Sequence, residues 1–407
     1  MFRRTACAAP LALLCCAVAA ESQTVLTIDR VLDLAERQNP DVFIASTRTA
    51  QAEGALTTAR IRLPSNPEVD VFVGSRDTSL AGRSLEQEYS FLQRFEIGGQ
   101  RGHRVAAATA GVTQRTFEVG ATVLQAQTIA LSAFYRAAHA QEIRRVTDEA
   151  LGLAEEAVRA AQARYEAGET AVLDVNVARV ELARARREQL AAASRLEGTV
   201  AELREVLALP AQEPVIVQTA LRAADVPAVE VLLSRLPDRP DIRAVTANLG
   251  QAEAELRLVR SARTPDLFGG VGFRREEGEP VTGARFGLTL PLFRRQTGAL
   301  AAASARIAEL KTALDARRVA LEARLRGAHA RYRIAAQAAE AIASTAVPLV
   351  EENEQLTRES YQAGKIGLLE LLVIRREGFA ARREALDAQL ESTLAGVEVR
   401  AVAGVIR

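Results

Sequence analysis

Two acidic residues occupy matching places in the two halves of the chain. Asp174 lies six residues after Gly168, and Glu370 lies six residues after Gly364. Both glycines interrupt long stretches of helix-forming sequence, so each acid falls near the start of a new helix. A carboxylate there is favoured by the positive end of the helix dipole, which is one interpretation of the pair. Their matching positions leave a functional role open as the other.

Other residue sets that could carry out chemistry are weak or absent. The three histidines, at 103, 139 and 329, are far apart, and no two of them are spaced for one helix face. No serine, histidine and aspartate set and no pair of catalytic acids stands out. The glycines at 98–102 lack the spacing and the Lys-Ser/Thr pair of a phosphate-binding loop. The sequence therefore predicts no enzyme, no metal site and no cofactor.

The composition favours long helices. Of the 407 residues 48% are hydrophobic, 25% are charged and only 4% are aromatic, so alanine, leucine and valine carry most of the apolar content. Lysine and arginine total 52 against 51 acidic residues. This balance gives no global charge that would attract nucleic acid.

The amino terminus has the pattern of a secretory signal peptide. Arg3 and Arg4 precede an apolar run at 6–20, which ends in small residues suited to cleavage after residue 20. All three cysteines lie within this segment, so the mature chain would contain neither disulfides nor thiolate sites. Acylation of Cys15 or Cys16 is the alternative processing route. Beyond the signal no apolar stretch approaches the roughly 18 to 20 residues of a membrane helix.

The chain contains an internal duplication. Asn-Pro-Asp-Val at 39–42 recurs as Arg-Pro-Asp-Ile at 239–242, and Arg-Tyr-Glu-Ala-Gly at 164–168 recurs as Ser-Tyr-Gln-Ala-Gly at 360–364. Three prolines, at 210, 214 and 227, mark the junction between the copies. We predict a signal peptide at 1–20, a first repeat at 21–209, a linker at 210–225 and a second repeat at 226–407.

Each repeat has the same predicted order of elements: a helix, a strand hairpin and a long helical hairpin. The first helix is predicted to run to Pro64 in the first repeat and to about Arg263 in the second. Residues alternate between apolar and polar at 67–95 and 265–292, which predicts the strands. Helical sequence without proline follows from about Gly99 to Tyr165, and the helical hairpins turn at 166–170 and 362–366. The apolar strand face suits either a soluble sheet or a wall exposed to lipid. In the second case the residues that contact lipid would be Leu85, Tyr89, Phe91, Phe286 and Leu288.

Several motifs together resemble the outer-membrane efflux proteins, the TolC-like channel family. They are Phe-Glu-Ile-Gly-Gly-Gln-Arg at 95–101, Leu-Pro-Leu-Phe at 290–293, and both Tyr-x-Ala-Gly turns, each followed five residues later by Leu-Asp or Leu-Glu. The resemblance covers the mature chain in order. The stretch at 95–101 looks most similar to the heavy-metal branch, the cobalt–zinc–cadmium type.

The resemblance implies a mainly α fold with a small β part. Long antiparallel helical hairpins would form a periplasmic α-barrel, and four strands per chain would contribute to a trimeric 12-stranded transmembrane β-barrel. The implied partners are two further copies of the chain, a periplasmic adaptor (membrane fusion) protein, an inner-membrane efflux pump and outer-membrane lipid. The implied function is a passive conduit from the periplasm to the exterior, gated at its periplasmic tip.

Family resemblance also assigns site residues. Asp174 and Glu370 would form an acidic constriction at the periplasmic mouth, with Arg179 and Arg375 as candidate partners that hold it closed. The turns would meet the adaptor. The docking residues predicted there are Tyr165, Gly168, Tyr361 and Gly364.

Two other protein classes share some of these sequence features. A periplasmic coiled-coil adaptor would have one helical hairpin flanked by segments rich in glycine and valine, whereas this chain has two equivalent hairpins. A secreted coiled-coil scaffold would not explain the aromatic alternating strands. The exported substrate, the partner pump and lipidation stay undetermined by the sequence.

Overall fold

A computed structural model of the chain describes residues 24–78, 82–219, 221, 225–276, 279–290, 293 and 296–406. The predicted signal peptide and the two candidate acylation sites lie outside these ranges. None of the helices within them is both long and apolar enough to span a membrane.

The fold is mainly helical, with four long strands, as predicted. The first half contains β1 (Thr24–Leu26), α1 (Ile28–Arg37), α2 (Pro40–Ala59), β2 (Glu68–Thr78), β3 (Gly82–Phe95), α3 (Gln100–Glu166) and α4 (Val172–Val206). The second half contains β4 (Val215–Val217), α5 (Val229–Arg235), a 3-10 turn (Leu236–Asp238), α6 (Pro240–Ser261), β5 (Asp266–Glu276), β6 (Glu279–Thr289), α7 (Thr297–Ala341), a π-helical turn (Ile342–Ala346), α8 (Val347–Gln362) and α9 (Leu368–Ala403).

Helix α3 is the longest element and the centre of the helical wall. Its 67 residues span about 100 Å, and it packs against α2 and α6 in one part and against α4 and α9 in the other. Small side chains at heptad spacing allow neighbouring helices to approach closely. The buried alanines of this seam are Ala126, Ala130, Ala133, Ala137 and Ala140.

The four long strands form one antiparallel sheet in the order β2-β3-β5-β6. The two hairpins therefore lie side by side, with Phe91 of β3 opposite both Val69 of β2 and Val271 of β5. Strands β2 and β6 are the edges of this sheet. Because each of them carries 11 residues, each edge presents a long row of backbone groups to a further strand.

The stretch at 95–101 forms the joint between sheet and helices. Glu96 and Arg104 form an ion pair of 2.5 Å that is largely shielded from solvent. The Gln100 side chain accepts from the backbone N–H of Gly98 at 2.7 Å and donates to Asp266 at 3.2 Å. These bonds connect the start of α3 to the start of β5, so this stretch has a structural role in the single chain.

The structure differs from the sequence-based expectations in three places. Helix α2 ends at Ala59, before the predicted end at Pro64, and Arg101 of α3 donates to the terminal carbonyl of Arg60 at 3.1 Å. The predicted linker contains strand β4, which pairs in parallel with β1. The long helix of the second half contains a π-helical turn just before Pro348. Proline lacks an N–H and its ring clashes with the preceding turn of an α-helix, which explains the altered winding.

The largest apolar core lies where the linker crosses the helices. Leu26 of β1, Phe134 of α3, Leu203 of α4 and Val217 of β4 pack together there with almost no exposed surface. A second core lies at the far end of the helices, around the two helical turns.

Candidate functional site

The two helical turns have the same backbone geometry. Gly168 and Gly364 have φ angles of +73° and +70°, the left-handed conformation that glycine adopts most readily. In the first turn the N–H of Gly168 bonds to the carbonyl of Tyr165 and that of Glu169 to the carbonyl of Arg164, both at 2.9 Å. The second turn repeats this pattern at 3.0 and 2.9 Å. Such paired bonds end an α-helix and satisfy its last carbonyls.

The two acids occupy the third position of the helices that follow these turns. Asp174 is the third residue of α4, and Glu370 is the third residue of α9. Asp174 is half-buried and accepts a hydrogen bond from the hydroxyl of Thr170, whereas Glu370 is exposed. Both carboxylates therefore lie at the positive ends of helix dipoles. This placement fits the interpretation that the two acids stabilise the starts of their helices. It also leaves both carboxylates near the tip, where a functional role is possible.

The two predicted arginine partners bond elsewhere in the single chain. Arg179 donates to the side-chain oxygen of Gln162 at 3.3 Å, and Arg375 donates to the backbone carbonyl of Leu153 at 3.2 Å. Both acceptors are on α3. In the described part of the chain neither arginine is bonded to Asp174 or Glu370, and a role in closing the mouth stays a prediction about contacts between chains.

An apolar cluster joins the two turns into one tip. Its buried residues come from α3, α4 and α9, and Tyr361 and Ile366 pack against it. The guanidinium of Arg164 lies 5.4 Å from the ring centre of Tyr361, a cation–π contact between the turns. The buried members are Ala157, Ala161, Val175, Ala178, Leu368 and Leu371.

The four predicted docking residues differ in accessibility. Tyr165, Gly168 and Gly364 are exposed, whereas Tyr361 is half-buried between the turns. Sequence reasoning missed Thr170 and Arg164, which hold Asp174 and Tyr361 respectively. The threonine four residues before Asp174 is a visible signal. The contact of Arg164 with Tyr361 joins residues almost 200 positions apart and has no local signal.

All five predicted strand residues lie on one face of the sheet. The pairing registers place Tyr89 and Phe91 on the same side as Phe273 and Val271, and Leu288 on the same side as Leu267. Phe286, which is 81% exposed, lies opposite Gly269. This face is apolar and exposed along the four strands. The opposite face carries charged pairs, with Arg76 and Glu86 at 2.7 Å and Arg285 and Glu88 at 3.7 Å.

Within the described residues no group of three or more histidine, cysteine or acidic side chains is placed to hold a metal ion. His139 lies 2.8 Å from Asp387 across α3 and α9. Burial lowers the pKa of His139, and the nearby carboxylate opposes that shift.

Comparison with known proteins identifies the family. Residues 21–209 and 231–405 match the family described as outer membrane efflux protein. The chain is 28% identical over 367 residues to the cobalt-zinc-cadmium resistance protein CzcC of Cupriavidus metallidurans, covering 89% of this chain and 86% of that protein. It is 30% identical over 298 residues to the nickel-cobalt-cadmium resistance protein NccC of Alcaligenes xylosoxydans, covering 70% of this chain and 65% of that protein.

Solved structures show the same fold. CusC matches with a TM-score of 0.77 at 17% identity, covering 93% of this chain and 92% of CusC. The MtrE outer membrane channel of Neisseria gonorrhoeae matches with a TM-score of 0.75 at 19% identity, covering 93% of this chain and 89% of MtrE. The two matched halves contain the strand hairpins and both helical turns. The chain belongs to the outer membrane efflux protein family, and it is an outer-membrane channel with a large periplasmic part rather than a periplasmic adaptor or scaffold.

Proposed function

We propose that three copies of this chain close into one conduit from the periplasm to the exterior. One observation carries the proposal: the two edges of the sheet and the two edges of the helical wall lie on the same two sides of the chain. The sheet ends at β2 and β6. The wall ends at α2 and α4 on the β2 side and at α7 and α8 on the β6 side, because α3, α6 and α9 pack between them. One head-to-tail contact, repeated around a threefold axis, would cover both pairs of edges.

Exposed apolar side chains on the edge helices support this assembly. Phe43 on α2 and Leu190 on α4 are 69% and 62% exposed, and Val319 and Ile334 on α7 are 71% and 63% exposed. Apolar surface at both edges is typical of an interface between copies. Four strands are too few to close a barrel in lipid, where small barrels have about eight strands, whereas three chains supply 12.

The faces of the sheet suit such a barrel. The apolar face with Leu85, Tyr89, Phe91, Phe286 and Leu288 would contact lipid, and the face with the charged pairs would line the interior. Alternation of this kind is the pattern of transmembrane barrel strands.

Asp174 and Glu370 form the proposed periplasmic gate. Three copies would place six carboxylates near the mouth, because each chain carries one acid after each turn. A ring of carboxylates attracts cations and excludes anions. The relatives CzcC and NccC are named for resistance to cobalt, zinc, nickel and cadmium. We therefore propose divalent metal cations as the cargo of this conduit.

The exposed turns form the proposed docking surface for a periplasmic adaptor, which would connect the conduit to an inner-membrane pump. Glycine at 168 and 364 leaves the backbone open to close approach, since nothing lies within 4 Å of the position that a Cβ would take. Tyr361 would act through the shape of the tip rather than by direct contact.

Ion currents through the purified trimer in planar bilayers test the gate. Replacing both acids, Asp174→Ala with Glu370→Ala, should weaken cation selectivity and block by divalent cations. A matched control removes two exposed acids farther along the same helices, Glu197→Ala with Glu384→Ala. Unchanged selectivity and block in the first variant, or equal changes in both, would show that the acids only begin their helices.

A further inference from the structure

A groove lies between α4 and α9, with α3 as its floor. Ile143, Val146 and Leu153 of α3 line it, and Leu372 and Phe379 of α9 extend the apolar surface. The cavity has a volume of about 360 Å³. All of its walls come from one chain, so each copy contains every residue of the groove.

The rim of this groove is rich in arginine. Its lining contains two acids, Glu181 and Glu188, which pair with rim arginines at 2.6 and 3.5 Å. Two further acids outside the lining, Glu377 and Asp387, approach the rim at 3.7 and 3.9 Å, the long limit of an ion pair. Exposed ion pairs of this kind contribute little free energy. The rim arginines are Arg184, Arg187, Arg195, Arg375, Arg376 and Arg383.

Arg375 occupies the most enclosed position of the rim. It is half-buried above the floor and donates to the carbonyl of Leu153 at 3.2 Å. Burial lowers the pKa of Arg375 and repulsion from Arg358 acts in the same direction, whereas the nearby Glu156 and Glu354 oppose the shift. An anion placed beside Arg375 would pair with a guanidinium group that is partly withdrawn from water.

The size of the cavity suits a small ligand. Its volume of about 360 Å³ falls within the range of about 300 to 1,000 Å³ that is typical of small-ligand sites.

We propose that this groove binds an amphipathic organic anion, a single alkyl or aryl chain that ends in a carboxylate or sulfonate. The apolar chain would lie on the floor formed by α3, and the head group would bond to guanidinium groups of the rim. Arginine is the side chain best suited to a planar carboxylate, since its fork can donate two parallel hydrogen bonds. The ligand is chemically distinct from the metal cations proposed above, so this inference goes beyond that function.

Photolabelling of the purified trimer in phosphatidylcholine nanodiscs tests the proposal. The probe is dodecanoate that carries a diazirine, and the matched control probe is the same chain with an amine head group. Mass spectrometry should locate the carboxylate label within 143–153 and 372–379, with little label from the amine. Removing three rim charges together, Arg187→Gln, Arg195→Gln and Arg376→Gln, should lower the labelling about tenfold.

Two further variants complete the test. Arg306→Gln with Arg318→Gln and Arg326→Gln removes three exposed arginines of α7 and should leave the labelling unchanged. Ala150→Phe fills the floor and should prevent labelling without any loss of charge. Equal labelling by both probes would overturn the proposal. Labelling that the rim variants do not change would overturn it as well. The assay measures no ion current, so failure of the proposed gate would not affect its result.

Discussion

Replacing Arg239 should destabilise the protein more than replacing any exposed arginine. Arg239 precedes α6 at the place where Asn39 precedes α2. Asn39 caps its own helix, because its side chain accepts from the N–H of Asp41 at 2.9 Å. Arginine cannot accept in this way, and Arg239 instead donates to Asp241 at 2.8 Å and to the carbonyls of Ala401 and Val402. It thereby ties the start of α6 to the last turn of α9.

The magnitude follows from burial. The side chains of Arg239 and Asp241 are only 10% and 12% exposed, and removing one member of a buried pair costs about 3 to 5 kcal/mol. Arg317 also bonds to Asp241, at 2.9 Å, so part of the negative charge stays compensated after Arg239→Ala. We therefore expect the lower value, about 3 kcal/mol. With an unfolding entropy of about 0.8 kcal/mol per kelvin for a chain of this length, the midpoint should fall by about 4 °C.

The assay is thermal unfolding of the purified trimer by far-UV circular dichroism at one fixed scan rate. The control is Arg317→Ala, which removes the other partner of Asp241. Because the side chain of Arg317 is 53% exposed, its loss should lower the midpoint by about 1 °C. Equal midpoints for Arg239→Ala and Arg317→Ala would refute the argument from burial.

Three further predictions concern acid stability, the tip and the sheet. Burial alone would raise the pKa of Asp241, but hydrogen bonds from Arg239 and Arg317 outweigh it and hold that pKa below its ordinary value. The stabilisation is therefore present above about pH 4 and lost as the pH falls through the lower folded pKa, so Asp241→Asn should flatten the decline of the unfolding midpoint in acid. Gly168→Asn with Gly364→Asn should reduce export in a resistance assay while trimer level is kept, because asparagine tolerates positive φ better than other side chains; unchanged export would exclude docking at the turns. Phe91→Lys should deplete folded protein from the outer membrane, at a cost of about 2 to 4 kcal/mol in lipid, whereas Ser90→Lys on the opposite face should be tolerated; equal amounts of both variants would contradict the assignment of the faces.

The periodic spacing of apolar residues and the positions of glycine and proline made much of the fold predictable. Helix α3 was expected from Gly99 to Tyr165 and runs over Gln100–Glu166, because an alanine-rich stretch without proline has few alternatives. The two strand hairpins and the helical turns follow from alternation and from glycine in the same way. These signals are local, and the sequence carries them in full.

Contacts between distant segments were not predictable. Strand β4 has three residues and pairs with β1, 191 positions earlier in the chain, and the apolar Val-Ile-Val run is its only local mark. The hydrogen bonds from Arg239 to α9 and from Arg179 to α3 depend on which helix faces pack together. The rim arginines are spread over two helices, and their sequence resembles that of any solvated helix face. Only packing on α3 brings them around one groove.

The central claim is that copies of this chain join at their free edges, and engineered disulfides test it most directly. Strands β2 and β6 of one chain are three strand spacings apart, about 14 Å, whereas a disulfide needs Cα atoms about 4.4 to 6.8 Å apart. Val71→Cys on β2 can therefore bond to a cysteine on β6 only in another copy.

Three variants combine Val71→Cys with a cysteine at 282, 284 or 286. The natural cysteines of the chain all lie in the predicted signal peptide. The pair Val271→Cys with Ala284→Cys, opposite each other on β5 and β6, serves as the control for oxidation within one chain. We predict covalent dimers and trimers on denaturing gels for at least one of the three variants. Monomers in all three, with the control pair oxidised, would contradict the account.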